Sequence, residues 1–162
     1  MKTAVAIGIL GLALTPNGAA AQTAMEQSQI LRDFDRSVVE YTQRHQCFDM
    51  FPEALNAATP APKIFTLPVA MVFRQMIAQT LAGRAPAAIG GIGTPHRAAV
   101  LQPFPATELS DFPPVLRDAL PPLIGALEYR LIGDDLVIRD AGADLIVAVL
   151  RDAVGNATTV RR

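Results

Sequence analysis

The sequence predicts an α+β fold: two amphipathic helices packed on a small antiparallel β-meander, with a Pro-rich irregular segment. Three observations carry this. Apolar residues recur at helical spacing over 25–45 and again over 66–82. Eight of the 13 prolines fall between Pro86 and Pro122. The stretch 127–150 then turns to short apolar runs separated by glycine and aspartate.

The chain opens with MKTAVAIGILGLALTPNGAAAQ. Lys2 gives a short basic start, Ala4–Leu14 is apolar, and Ala19-Ala20-Ala21 supplies small residues after a Pro-Asn-Gly break. That is the layout of a secretory signal peptide, with cleavage expected after Ala21. The apolar run has eleven residues, and at 1.5 Å per residue it makes ~16 Å of helix, about half of a ~30 Å hydrocarbon core. A leader is therefore expected rather than an anchor. This divides the chain into a signal peptide, 1–21, and one exported domain, 22–162.

The first helix is expected over Met25–His45. Ile30, Phe34, Val38 and Tyr41 form one stripe, and Asp33 with Arg36 and Glu40 with Arg44 stand at ion-pair spacing. In CFDMFPEALNAATPAPK, Pro52 can open a short helical turn that Pro60 and Pro62 end. The second helix is expected over 66–82. Thr66 is placed as N-cap, Pro68 is tolerated in the first turn, and Gly83 is placed as C-cap. Its stripe is Val69, Val72, Phe73, Met76, Ile77 and Leu81, with Arg74, Gln75 and Gln79 facing away. Residues 84–123 then read as an irregular wrapping segment, with a flexible Gly90-Gly91/Gly93 stretch and one helical turn at Pro114–Leu120.

For EYRLIGDDLVIRD, 128–140, a two-residue turn at Gly133-Asp134 sets Leu131 against Leu136, Tyr129 against Ile138 and Glu128 against Arg139. A turn at Asp134-Asp135 would instead oppose Arg130 to Arg139, so the first register is preferred. Asp144–Leu150 is apolar on both faces and reads as a central or covered third strand. A helix over 143–154 is the alternative.

The formal charge of −1 becomes −2 without Lys2. It supplies neither a basic field for nucleic acid nor a polybasic patch for anionic lipid. No later run is apolar enough for stable membrane insertion after signal cleavage. Cys47 is the one cysteine, so no intrachain disulfide can form. A free, partly buried thiol is expected, with pairing to another chain as the alternative.

The segments IFTLPVAMVFRQMI (64–77), PPVLRDALPPL (113–123) and LEYRLIGDDLVIRDAGADLIV (127–147) resemble an uncharacterised family of small exported bacterial proteins. Its members share a leader, an early helix near LRDFD (31–35) and the Tyr-Arg…Asp-Leu-Val…Asp ending. The resemblance implies export and a common fold, and assigns no activity. Members often carry His where this chain has Gly142, and a longer helical section between the first two helices.

Several side chains invite a chemical reading. Asp134, Asp135, Asp140, Asp144 and Asp152 are numerous enough for calcium, but a meander puts Asp134 and Asp135 at one end and Asp140 and Asp144 at the other, with no EF-hand spacing. Asp134 reads as turn chemistry. His45, His96 and Cys47 lack zinc-ligand spacing. Cys47 with His45 or His96 and an orienting Asp49 matches no nucleophile signature. Ser28, Ser37 and Ser110 lie outside G-x-S-x-G. Glu53, Glu108 and Glu128 have no assigned role. AIGGIGTPHR, with Thr94 and Arg97, lacks both phosphate-loop spacings, and Pro95 disfavours an immediate helix. Asn156-Ala157-Thr158 matches a glycosylation pattern that is frequent by chance. No catalytic, cofactor-binding or metal residue is assigned, and no cofactor is expected.

The functional expectation is a non-enzymatic binding or structural role in the cell envelope, periplasmic or secreted. Its partner is unknown, with another envelope protein the candidate, engaged through the proline-rich segment. The alternative is a small hydrolase-like enzyme using Cys47 or an unrecognised carboxylate.

Overall fold

The computed structural model describes residues 17–48, 63–82, 97–105 and 112–154. Within them the chain is α+β: α1 (Asn17–Phe48), α2 (Leu67–Leu81), α3 (Pro114–Ala119), then β1 (Leu127–Ile132), β2 (Asp135–Asp140) and β3 (Leu145–Leu150). The three strands form one antiparallel sheet in the order β1-β2-β3. No helix of the described residues is long and apolar enough to cross a membrane.

α1 begins earlier than the stripe predicts and runs across the Ala21–Gln22 bond. The stripe still marks the packed part. Phe34 and Val38 are buried, and Ile30 and Tyr41 are partly buried against the same core. The two expected ion pairs are present, Arg36 to Asp33 at 3.0 Å and Arg44 to Glu40 at 3.8 Å. Thr23 and Ala24, within that extension, are exposed.

α2 follows its predicted stripe, with Val69, Val72, Phe73, Ile77 and Leu81 buried. Two details differ. Thr66 occupies the N-cap position in an extended conformation, yet its side chain makes no capping bond; its carbonyl accepts from Ala70 N–H at 2.8 Å instead. Arg74 does not simply face away, because Nη2 donates to the carbonyl of Arg151 at 2.9 Å. The expected C-cap Gly83, the turn at Pro52 and the Gly90–Gly93 stretch lie outside the described residues.

The hairpin has the expected register: Leu131 faces Leu136, Tyr129 faces Ile138, and Glu128 faces Arg139. Gly133 has φ +57, and Asp134 is not among the residues with positive φ, so the turn strains only the glycine. A Cβ at Gly133 would meet nothing within 4 Å. Gly133→Ala therefore isolates backbone strain and should cost about 1 kcal/mol in urea unfolding. A neutral result would mean that the turn relaxes to another type.

β3 is a strand, not a helix, and it carries a register shift opposite Ile138 and Arg139. The bulge lets Ile146, Val147 and Ala148 all be buried in succession. Val147 and Ala148 join the helix-side core, whereas Ile146 joins a smaller cluster on the opposite face with Ala98, Phe104, Ile132 and Val137. The expectation of a central position fails, because β3 is last in the sheet. It is nonetheless covered. Leu101 N–H donates to Ile146 O at 2.8 Å, Ile146 N–H to Gln102 O at 2.9 Å, and Phe104 N–H to Asp144 O at 3.1 Å. This described piece of the proline-rich segment thus lies along the β3 edge and roofs the second face.

Candidate functional site

The polar groups that the fold brings together lie at the two ends of the sheet. Successive strand residues rise ~3.3 Å, so the five steps from Ile132–Asp135 to Leu127–Asp140 separate those ends by ~17 Å. Asp134 and Asp135 sit at one end, Asp140 and Asp144 at the other, as the meander requires. Asp152 joins the first end, where its N–H donates to Asp135 Oδ1 at 2.9 Å. Arg151 reaches Asp135 Oδ2 at 2.5 Å and also donates to the Ala98 carbonyl. Val154 N–H closes on Asp134 O at 3.1 Å. These acids fasten the chain after β3 to the hairpin. No group of three or more potential metal ligands occurs among the described residues.

At the other end Asp140 is the one buried charged side chain among the described residues, 6 % exposed. Its Oδ1 accepts from the N–H groups of Gly142 at 2.9 Å and Ala143 at 3.1 Å. This local turn explains why an acid ends β2. Oδ2 accepts from the Tyr41 hydroxyl at 3.0 Å, joining residues 99 apart in sequence. A Cβ at Gly142 would come within 3.3 Å of Asp140 Oδ1, so any larger residue there requires the turn to shift slightly.

On the sheet face turned away from the helices, Arg130 contacts Glu128 at 2.7 Å, and Arg139 contacts Glu128 at 2.8 Å and Asp144 at 2.6 Å. The Arg139 guanidinium also lies 5.2 Å from the centroid of the Phe104 ring. Its hydrogen bonds to Asp144 and the one to Glu128 raise its pKa, against the lowering effect of desolvation. Two cations alternate with two anions, so the network has no net charge to attract a charged ligand. Glu128, unassigned by sequence, is a partner to two arginines.

Both tyrosines of the chain are held protonated. Burial, followed by the charge and hydrogen bond of Asp140, raises Tyr41 well above the ordinary value near 10. Burial, followed by Asp35, does the same for Tyr129, whose hydroxyl donates to Pro121 O at 2.9 Å. A raised phenol pKa leaves stability unaffected below pH 10, where both states are protonated. Above it the unfolded chain alone releases protons, so stability falls as pH rises. With no tryptophan present, absorbance near 295 nm should show little phenolate before the alkaline loss of far-UV circular dichroism. Separate phenolate formation in a folded chain would contradict this burial.

Of the remaining candidate side chains, few lie among the described residues. Ser28 and Ser37 donate to carbonyls one turn back in α1, at 2.8 and 3.0 Å, rather than to a base. A groove beside the start of α1 is lined by Ala24, Met25, Ser28 and Arg32, all of them exposed. His45 and Cys47 fall on the last turn of α1. Asp49, Glu53, Thr94, His96, Glu108, Ser110 and Asn156–Thr158 lie outside the described residues. Tyr41 and Asp140 were missed as a pair by sequence reasoning, since only tertiary packing brings them together.

Comparison of the chain with family models, with curated proteins and with solved structures finds no match.

Proposed function

We propose that the chain is an exported protein of the cell envelope with a binding or structural role rather than an enzymatic one. The observation that supports this is polar satisfaction. Among the described residues, no buried side-chain nitrogen or oxygen lacks a hydrogen-bond partner. The polar side chains that the fold brings together are engaged in holding it together. Here Asp140 shapes a turn and anchors α1, Tyr129 ties β1 to the segment before it, and Glu128 and Arg139 brace the sheet face. The leader-like 1–21 and the resemblance to small exported proteins support the envelope location. The roof formed by 97–105 suggests that part of the proline-rich stretch has a structural role.

A fusion of the full chain to a reporter active only outside the cytoplasm tests export. Reporter activity with a mature N-terminus at Gln22 is expected; a cytoplasmic, uncleaved product would refute it. Cross-linking in the envelope fraction should recover a recurring partner, and repeated recovery of none counts against binding. Turnover of ester, thioester or peptide substrates that disappears in Cys47→Ala would overturn the non-enzymatic reading.

A further inference from the structure

Among the described residues the sheet has one covered edge and one bare edge. β3 is paired by Leu101, Gln102 and Phe104, whereas no strand lies beside β1 except β2. The two-residue turn and the bond from Ala141 N–H to Ala126 O at 2.9 Å direct the N–H and C=O groups of residues 126, 128, 130 and 132 toward β2. Those of Tyr129 and Leu131 therefore point away from the sheet. So do those of Leu127, whose N–H closes locally on Ile124 O at 3.3 Å. A bare edge of this kind is a template for another strand.

We infer that the β1 edge pairs antiparallel with the β1 edge of a second copy of this chain, Tyr129 opposite Tyr129, to make one six-stranded sheet. The argument is register and charge. Only odd-numbered residues offer outward hydrogen bonds, so a two-fold arrangement must pair odd with odd. Centring it on residue 128 opposes Glu128 to Glu128, and centring it on 130 opposes Arg130 to Arg130; both place like charges directly across. Centring on 127 sets Glu128 against Ala126, and centring on 131 sets Arg130 against Ile132, with no charge complement. Centring on Tyr129 sets Glu128 against Arg130 twice and Leu127 against Leu131 twice.

Glu128 and Arg130 are available for this. Their side chains keep 30 % and 21 % of their exposure on the face away from the helices, and they already stand 2.7 Å apart within one strand. Pairing would turn two such intrachain pairs into one alternating cluster of four charges, extended on each side by Arg139. The edge thus carries its own complement, which favours a second copy over an unrelated strand. The inference is independent of where the protein resides.

The test is a strand-specific disulfide in the full chain on a Cys47→Ser background. One preparation carries Glu128→Cys and another Arg130→Cys. In the proposed register these positions form a non-hydrogen-bonded pair, with Cα atoms ~4.5 Å apart. Mixed and oxidised, the two should give covalent dimer several-fold above either preparation alone. Predominant self-linking of Glu128→Cys or of Arg130→Cys would overturn this register. Sedimentation should give twice the mass of a single chain for the unmodified protein and Arg130→Lys. Association should be about tenfold weaker for Arg130→Glu, which opposes two acids at both pairs. A monomer at all concentrations, without the mixed disulfide, overturns the pairing itself.

Discussion

Phe73→Ala should destabilise the domain by about 4 kcal/mol, the range for removing a fully buried aromatic side chain. Phe73 is 0 % exposed and stands at the centre of a ring cluster. Its centroid is 4.8 Å from Phe34 on α1, 5.3 Å from Phe65 just before α2, and 6.3 Å from Tyr129 on β1. One side chain therefore joins both long helices to the sheet, and its removal opens a cavity where three elements meet. Domains have only about 5–15 kcal/mol of stability, so the loss is a large fraction of the total. Met71, two positions earlier on the same helix, is 62 % exposed. Met71→Ala should change stability by less than about 0.5 kcal/mol. Urea unfolding followed by far-UV circular dichroism compares the two. Equal losses would mean that α2 presents a different face to the core.

That contrast also shows what periodicity could reveal. The α2 stripe identifies the buried face because a helix interior repeats every 3.6 residues, and the hairpin register follows because only one turn avoids opposing Arg130 to Arg139. The three-residue buried run Ile146–Ala148 was legible as apolar on both faces, but its cause was not. A central strand and an edge strand with a bulge and a roof leave the same apolar pattern. The roof itself, 97–105, has no strand periodicity. Its place is set by Phe104 and Ala98 packing on Ile146 and Val137 and by Leu101, which adopts φ +66 as the third residue of a turn closed by Gln102 N–H on Ala99 O at 3.3 Å. The turn roles of Asp134 and the separation of the two acid pairs were legible from the meander. The link from Tyr41 to Asp140 was not, since it joins a helix stripe to a strand end without a local signal.

Asp140→Ala should cost about 3 kcal/mol, the second largest effect. The substitution leaves the N–H groups of Gly142 and Ala143 and the Tyr41 hydroxyl without the carboxylate that now accepts from all three. An orphaned donor costs ~1–3 kcal/mol when water cannot replace the partner. The turn is partly exposed, so its two N–H groups recover some solvation, and the total stays below the sum of three full penalties. Asp140→Asn keeps a carbonyl oxygen for the turn and should lose less. Tyr41→Phe removes one donor and should cost about 1 kcal/mol. In a double-mutant cycle Tyr41→Phe should then cost almost nothing in an Asp140→Ala background, giving a coupling of about 1 kcal/mol. Strict additivity would show that the hydroxyl and the carboxylate do not stabilise each other in solution. The same pair has a signature beyond stability. Asp140 contributes both charge and a hydrogen bond to the raised Tyr41 pKa, second to burial. In Asp140→Asn the charge is lost while burial, the larger cause, remains, so Tyr41 should still stay protonated until alkaline unfolding, which should itself come at lower pH because the variant is less stable. Both phenolates should therefore appear together with the loss of far-UV circular dichroism, whereas phenolate from Tyr41 alone in a chain that stays folded would show that the Asp140 charge, and not burial, holds that hydroxyl protonated.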